Sequence, residues 1–199
     1  NPGDEVICIS PYFFEYNNYI TTPGGKVVVV PASESEGFVP DVDAIAKAIT
    51  PKTKAIILNN PNNPTGVVYP AELLKKLSDV LVEKGKEYGT VIYVVSDEPY
   101  RELAYDGVEV PWMPNCMENC IVGYSWSKSL SLPGERIGYL VIPGDIAEGQ
   151  LIFDASVVAN RMLGFVNAPS LMQLVVARCL NESTAIDKYD ANRKLLYNG

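Results

Sequence analysis

The sequence contains no histidine. That removes the commonest general base, the commonest zinc ligand and every catalytic triad built on imidazole. Cysteine is scarce as well. Cys8, Cys116, Cys120 and Cys179 are scattered, and Cys116-x-x-x-Cys120 has neither the spacing nor the partners of a metal site. They read as reduced thiols, so no metal is expected and a cytoplasmic setting follows. Positive charge is in deficit: 16 Lys and Arg against 24 Asp and Glu leave a net charge of −8 and no basic stripe to neutralise nucleic-acid phosphates. No run approaches the ~20 apolar residues of a membrane span, and no signal peptide is visible. Internal repeats and low-complexity segments are missing too.

What is present is the composition of a globular protein. The hydrophobic share of 47% over 199 residues suits one domain with a sizeable core. Val6–Ile9, Lys26–Val30, Ala55–Leu58, Val91–Val95, Cys120–Tyr124 and Ile137–Ile142 read as short apolar strands. Between them, Asp41 can cap a helix whose Val42, Ile45, Ala46 and Ile49 share a face, with Pro51 ending it. Pro70 suits a first helical turn, followed by the stripe Leu73, Leu74, Leu77, Val80 and Leu81, and Gly85 or Gly89 closes it. Past Asp145 the chain turns helical to its end, with a break near Asn167–Pro169. Strands that are apolar on both faces and alternate with helices predict an α/β three-layer sandwich with a mostly parallel sheet.

Such sheets bind ligands outside the carboxyl ends of their strands. Asn63, Asp97, Ser125 and Lys128 all fall at such ends. Lys128 sits among Ser125, Ser127, Ser129 and Ser131, with Arg136 eight residues on. A lysine held partly desolvated at a strand end becomes a carbonyl-condensing amine, and arginine with clustered hydroxyls suits a phosphate. The two together suggest pyridoxal phosphate. Taken alone, Ser-x-Ser-Lys is an ordinary solvated loop, Asp97 a helix cap or salt-bridge partner, and Asn62–Gly66 turn chemistry. Asp97 as a ligand would hold a pyridine nitrogen protonated, and Tyr100 could reach the same ring. Phe13 and its neighbours are core aromatics by default, although one of them could stack on a flat ring. Arg101, Arg161, Arg178 and Arg193 read as surface or salt-bridge residues.

The segments NPGDEV, SPYFFEY, EGFVPD, NNPNNPTG, SDEPY and SWSKSLSLPGERIGY resemble, in this order, the large domain of class I (fold type I) pyridoxal-phosphate aminotransferases, aspartate aminotransferases in particular. The resemblance covers essentially the whole chain. It implies that Lys128 forms the Schiff base and that Asp97 pairs with the pyridinium nitrogen. It also implies that Tyr100 and Asn63 bond the ring oxygen, that Ser125, Ser127 and Arg136 hold the phosphate, and that Phe13 stacks on the ring. Many relatives carry tryptophan at the Phe13 position. The expected domain division is residues 1–180 as a cofactor-binding large domain lacking its leading strand and phosphate loop. Residues 181–199 then begin the helix toward a missing small domain, which would bring the substrate-carboxylate arginine. The expected partners are amino-acid and 2-keto-acid substrates and a second copy in a homodimer. A lyase or decarboxylase of the same fold, or a non-catalytic scaffold, are the alternatives.

Overall fold

Six strands form one sheet in the order β2-β1-β3-β4-β5-β6. They are β1 (Glu5–Ser10), β2 (Lys26–Pro31), β3 (Thr53–Asn59), β4 (Tyr93–Asp97), β5 (Cys120–Ser125) and β6 (Gly138–Val141). The structure is a computed structural model that describes residues 1–181 and 186–198. Four pairings are parallel and the last, β5 with β6, is antiparallel. The link from Ser125 to Gly138 holds only the one-turn α4 (Trp126–Ser129) and a 3-10 turn at Pro133–Glu135. It carries no crossover helix to return the chain to the other end of the sheet, so β6 runs back antiparallel.

The helices follow from local chemistry. Asp41 caps α2 (Val42–Ala48), its Oδ1 accepting from the Asp43 and Ala44 amides at 2.9 and 3.0 Å. Such a cap contributes about 1 kcal/mol. Pro70 immediately precedes α3 (Ala71–Tyr88), and Gly89 ends it in the left-handed conformation that costs glycine nothing. Leu74, Leu77 and Leu81 are buried along the predicted stripe. They meet Ile7, Ile9, Ile56, Leu58, Val94 and Val122 from one sheet face and Val42, Ile45 and Ile49 from α2. Each such side chain contributes roughly 1.5–3 kcal/mol on burial.

The opposite face carries a smaller cluster. Cys8, Tyr16 and Ile20 are buried there, with Val6, Phe13, Val27 and Ile57 around them, under α1 (Tyr16–Thr21). Val29 and Val95 point to the same face and remain 51% and 36% exposed. The continuous apolar strands predict cover on both faces, and here α1 covers only the β1–β2 side. The tail is helical, as α5 (Gly149–Met162), α6 (Ser170–Cys179) and α7 (Ile186–Asn198), with the break at 163–169 spanning the expected Asn167–Pro169. In the segment expected to lead toward a second domain, residues 182–185 and 199 lie outside the described residues.

β1 sits between β2 and β3. The chain leaves β1 toward β2 through α1 on one face, and leaves β3 toward β4 through α3 on the other. Strand order therefore reverses at β1 and β3, and a crevice opens at their carboxyl ends.

Candidate active site

Asp97 ends β4 and stands in register with Asn59 of β3 and Gly123 of β5. Parity sends its side chain to the α1 face, since Val94 and Ser96 face the larger core. There the Tyr16 hydroxyl donates to Asp97 Oδ2 at 2.5 Å. Asp97 Oδ1 accepts no hydrogen bond among the described residues, and Asp97 lines a cleft of about 440 Å³. Burial pushes the Asp97 carboxyl above the usual carboxylate range, and the Tyr16 bond opposes that rise. Burial, then the charge of Asp97, drives the Tyr16 phenol far above an ordinary tyrosine.

Glu98 points the other way. It is fully buried, accepting from Ser96 at 2.7 Å and from Arg101 at 2.6 Å. Arg101 also donates to the Val110 and Pro111 carbonyls and lies over the Trp112 ring at 5.4 Å. This network pins the residues that flank Tyr100. The expected salt-bridge role of Arg101 is therefore present, and so is that of Arg193, which pairs with Asp106 and Asp190.

The asparagine-rich loop after β3 divides its labour. Asn59 donates to the Asp97 carbonyl at 2.7 Å and accepts from the Asn63 amide at 2.6 Å. Asn60 accepts from the Tyr69 amide, and Asn62 from Thr65. Those three do the turn chemistry. Asn63 alone turns outward, its amide donating to the Tyr100 hydroxyl at 3.1 Å.

Lys128 lies on α4, directly after β5, with Nζ 5.5 Å from the centre of the Tyr100 ring. It is exposed, where the strand-end reading expects a partly desolvated amine. Ser125, Ser127 and Arg136 line one cleft of about 700 Å³. Arg136 is exposed and takes a left-handed backbone conformation, and its guanidinium donates to the Pro133 carbonyl. Gly138 fixes where this cleft ends: a Cβ there would lie 2.3 Å from the Tyr124 carbonyl oxygen. Only glycine lets β6 close on β5 beside Ser125. Phe13 is half-buried and meets the Tyr16 ring edge-on, their centres 5.7 Å apart.

The structure thus gathers Asp97, Tyr100, Asn63 and Lys128 at the carboxyl ends of the sheet. It puts Ser125, Ser127 and Arg136 on the β6 side and Phe13 on the β1 side. The smaller and larger clefts share Ser125, Gly138 and Asn160, so they are contiguous. Sequence reasoning misses Tyr16 and Asn160. Tyr16 leaves a signal, because it follows Phe13 by three residues at a helix start and so shares its face. Asn160 leaves none.

An α/β domain with a lysine and a desolvated carboxylate at the carboxyl ends of its sheet, beside a cleft lined by two serines and an arginine, is the class that the fold and site define. The chain belongs to the aminotransferase class I and II family, whose model matches residues 1–198. It is similar to the aspartate/prephenate aminotransferase of Thermus thermophilus, 41% identical over 146 residues, which are 73% of this chain and 36% of that protein. The aspartate aminotransferase of Pyrococcus abyssi is 31% identical over 98% of this chain and 49% of its own length. A crystal structure of an amino transferase from Eubacterium rectale superposes with a TM-score of 0.94 at 45% identity, covering 100% of this chain and 50% of that one. This chain therefore spans half or less of these relatives' length. The family implies pyridoxal phosphate.

Proposed function

We propose that this chain is the cofactor-holding part of an enzyme that moves an amino group between an amino acid and a 2-keto acid. One observation carries the reading. Asp97, the Asn63–Tyr100 pair and Lys128, far apart in sequence, converge at the carboxyl edge of the sheet.

The donor set fits pyridoxal phosphate. Asp97, lining the cleft, desolvated and with Oδ1 free of a hydrogen bond among the described residues, suits a protonated ring nitrogen. Tyr100 and Asn63 suit the ring oxygen, Ser125, Ser127 and Arg136 the phosphate, and Phe13 the ring face. When bound, the group supplies a carbonyl that condenses with amines and a ring that draws electrons from a carbanion. Asp97 would keep the ring nitrogen's proton in place. Lys128 Nζ would hold the cofactor's carbonyl carbon and would accept the proton from the substrate α-carbon. The Arg101–Glu98 network holds Tyr100 in register with both.

Residues 1–180 act in this reading as the cofactor-binding large domain. The whole protein works as a homodimer in the cytoplasm, a setting supported by the four free cysteines. Among the described residues no helix is long and apolar enough to cross a membrane.

Two measurements test the proposal. Borohydride treatment of the full-length protein with pyridoxal phosphate, followed by peptide mapping, places the label on Lys128. A panel of amino acids and keto acids then yields keto-acid and amino-acid products in pairs. A label confined to Lys75 or Lys84 overturns the assignment of Lys128, and elimination products without paired transfer assign a lyase instead.

A further inference from the structure

We propose that Tyr16 is a positioning residue for Asp97, holding one carboxylate oxygen so that the other alone faces the cofactor ring. The proposal rests on the reading of Asp97 as partner of the ring nitrogen, and it deepens that reading.

The geometry is specific. Tyr16 lies 81 residues before Asp97, and its hydroxyl reaches Oδ2 at 2.5 Å. Tyr16 is 5% exposed, its ring wedged among aromatics: Phe13 edge-on at 5.7 Å, Tyr12 stacked at 6.2 Å and Tyr19 tilted at 6.5 Å. Cys8 and Ile20 close the pocket beneath it. The phenol cannot follow a rotating carboxylate, so the bond fixes the Asp97 torsion rather than merely satisfying it. A free carboxylate can turn either oxygen toward a ligand, whereas a pinned one presents Oδ1 alone.

The chemistry of the donor matters as much as its place. Asp97 is desolvated, and a desolvated carboxyl tends to keep a proton. An acid in that state cannot receive the positive charge of a ring N–H. A phenol O–H favours the charged carboxylate by donating to it. Burial and the Asp97 charge keep this phenol protonated across the neutral range, so it is always a donor. An imidazole in its place would change state near neutrality, and the chain has none. Charged or titratable groups around the pair are Tyr100 and Glu98 beside Asp97, Cys8 beneath Tyr16, Tyr12 stacked on the Tyr16 ring and Tyr19 on α1.

The test compares full-length wild type with Tyr16→Phe and Tyr19→Phe. Tyr19 donates to Glu15 at the surface and does not bond Asp97, so its loss of a hydroxyl is the control. In the cofactor-free protein, the side-chain carboxyl of Asp97 is followed by carbon NMR against pH. Tyr16→Phe moves that titration to higher pH, and Tyr19→Phe leaves it in place. Pyridoxal phosphate affinity falls about tenfold in Tyr16→Phe, the size expected for one hydrogen bond to a charged group. Should Tyr16→Phe not fold, Asp97→Asn supplies the reciprocal measurement, since losing the carboxylate moves the Tyr16 phenolate band to lower pH. An unmoved Asp97 titration, or an unmoved phenolate band, overturns the proposal. If the titration shifts but pyridoxal phosphate binds none of the variants, including wild type, Tyr16 still positions Asp97 and the cofactor reading fails instead.

Discussion

At the scale of single residues, the site is built on a division between neighbours. Asp97 and Glu98 are adjacent acids at the end of one strand, and strand parity sends them to opposite faces. Asp97 keeps one oxygen free of hydrogen bonds among the described residues and lines a cleft, while Glu98 spends both on Ser96 and Arg101. The first is available for chemistry and the second is structural. Asp97→Asn should therefore lower turnover of the full-length protein by about 100-fold or more, the scale of losing one electrostatic contact to a developing charge. Borohydride labelling of Lys128 should persist in the same variant. Steady-state rates on the best substrate pair check this, and a rate above roughly a tenth of wild type contradicts it, because a charge contact of this kind is worth ~2.7–4 kcal/mol.

At the scale of elements, the segment after β4 is held by one buried ion pair. Arg101 ties Glu98 to the carbonyls of Val110 and Pro111, closing the loop that carries Tyr100. Arg101→Met should destabilise the protein by about 3 kcal/mol, because it leaves a buried charge without a partner. The pair Arg101→Met with Glu98→Leu should recover part of that loss. Burial already raises the Glu98 carboxyl pKa, and losing the arginine raises it further. A carboxyl whose folded pKa is raised binds its proton more tightly folded than unfolded. The deficit of Arg101→Met should therefore be largest at neutral pH and shrink as pH falls through the raised folded pKa. Urea unfolding at several pH values measures it, and a deficit that grows on acidification would refute the assignment.

Elements also show which readings propensity supports. The α2 cap, the α3 stripe and five of the strand cores lie where their residues predict. β4 is the exception in register. The apolar run Val91–Val95 predicts a strand ending at Val95, and the observed strand is Tyr93–Asp97. The ladder to β3 pairs Asn59 with Asp97, so hydrogen bonding to a neighbour, not hydropathy, sets the end.

At the scale of the whole molecule, much apolar surface is uncovered. Leu140 is 55% exposed on the edge strand β6, Phe153 53% on α5, and Leu171 and Leu174 each 66% on α6. An unpaired strand edge beside apolar helix faces invites association. The 199-residue chain by itself should form assemblies at micromolar concentration, and Leu140→Lys with Phe153→Glu should reduce their mass. Light scattering decides, and a monodisperse monomer for the unmodified chain would refute the expectation.

The sequence by itself determined the periodic elements and the α/β class and singled out the candidate residues, because each is written in spacing that a few neighbouring residues carry. Lys128 among serines, Asp97 at a strand end and the doubled Asn-Pro loop are legible in that way. Only the tertiary structure decided how those residues divide their work. The Tyr16–Asp97 bond spans 81 positions and the Asn63–Tyr100 bond 37, and neither separation leaves a local pattern. Asn60 and Asn62 serve the turn, Asn59 bridges to β4 and Asn63 alone reaches Tyr100, because which amide turns outward depends on how β3 sits against β4. The exposure of Lys128 is of the same kind: it is set by what packs over the carboxyl edge of the sheet, and no local spacing encodes that.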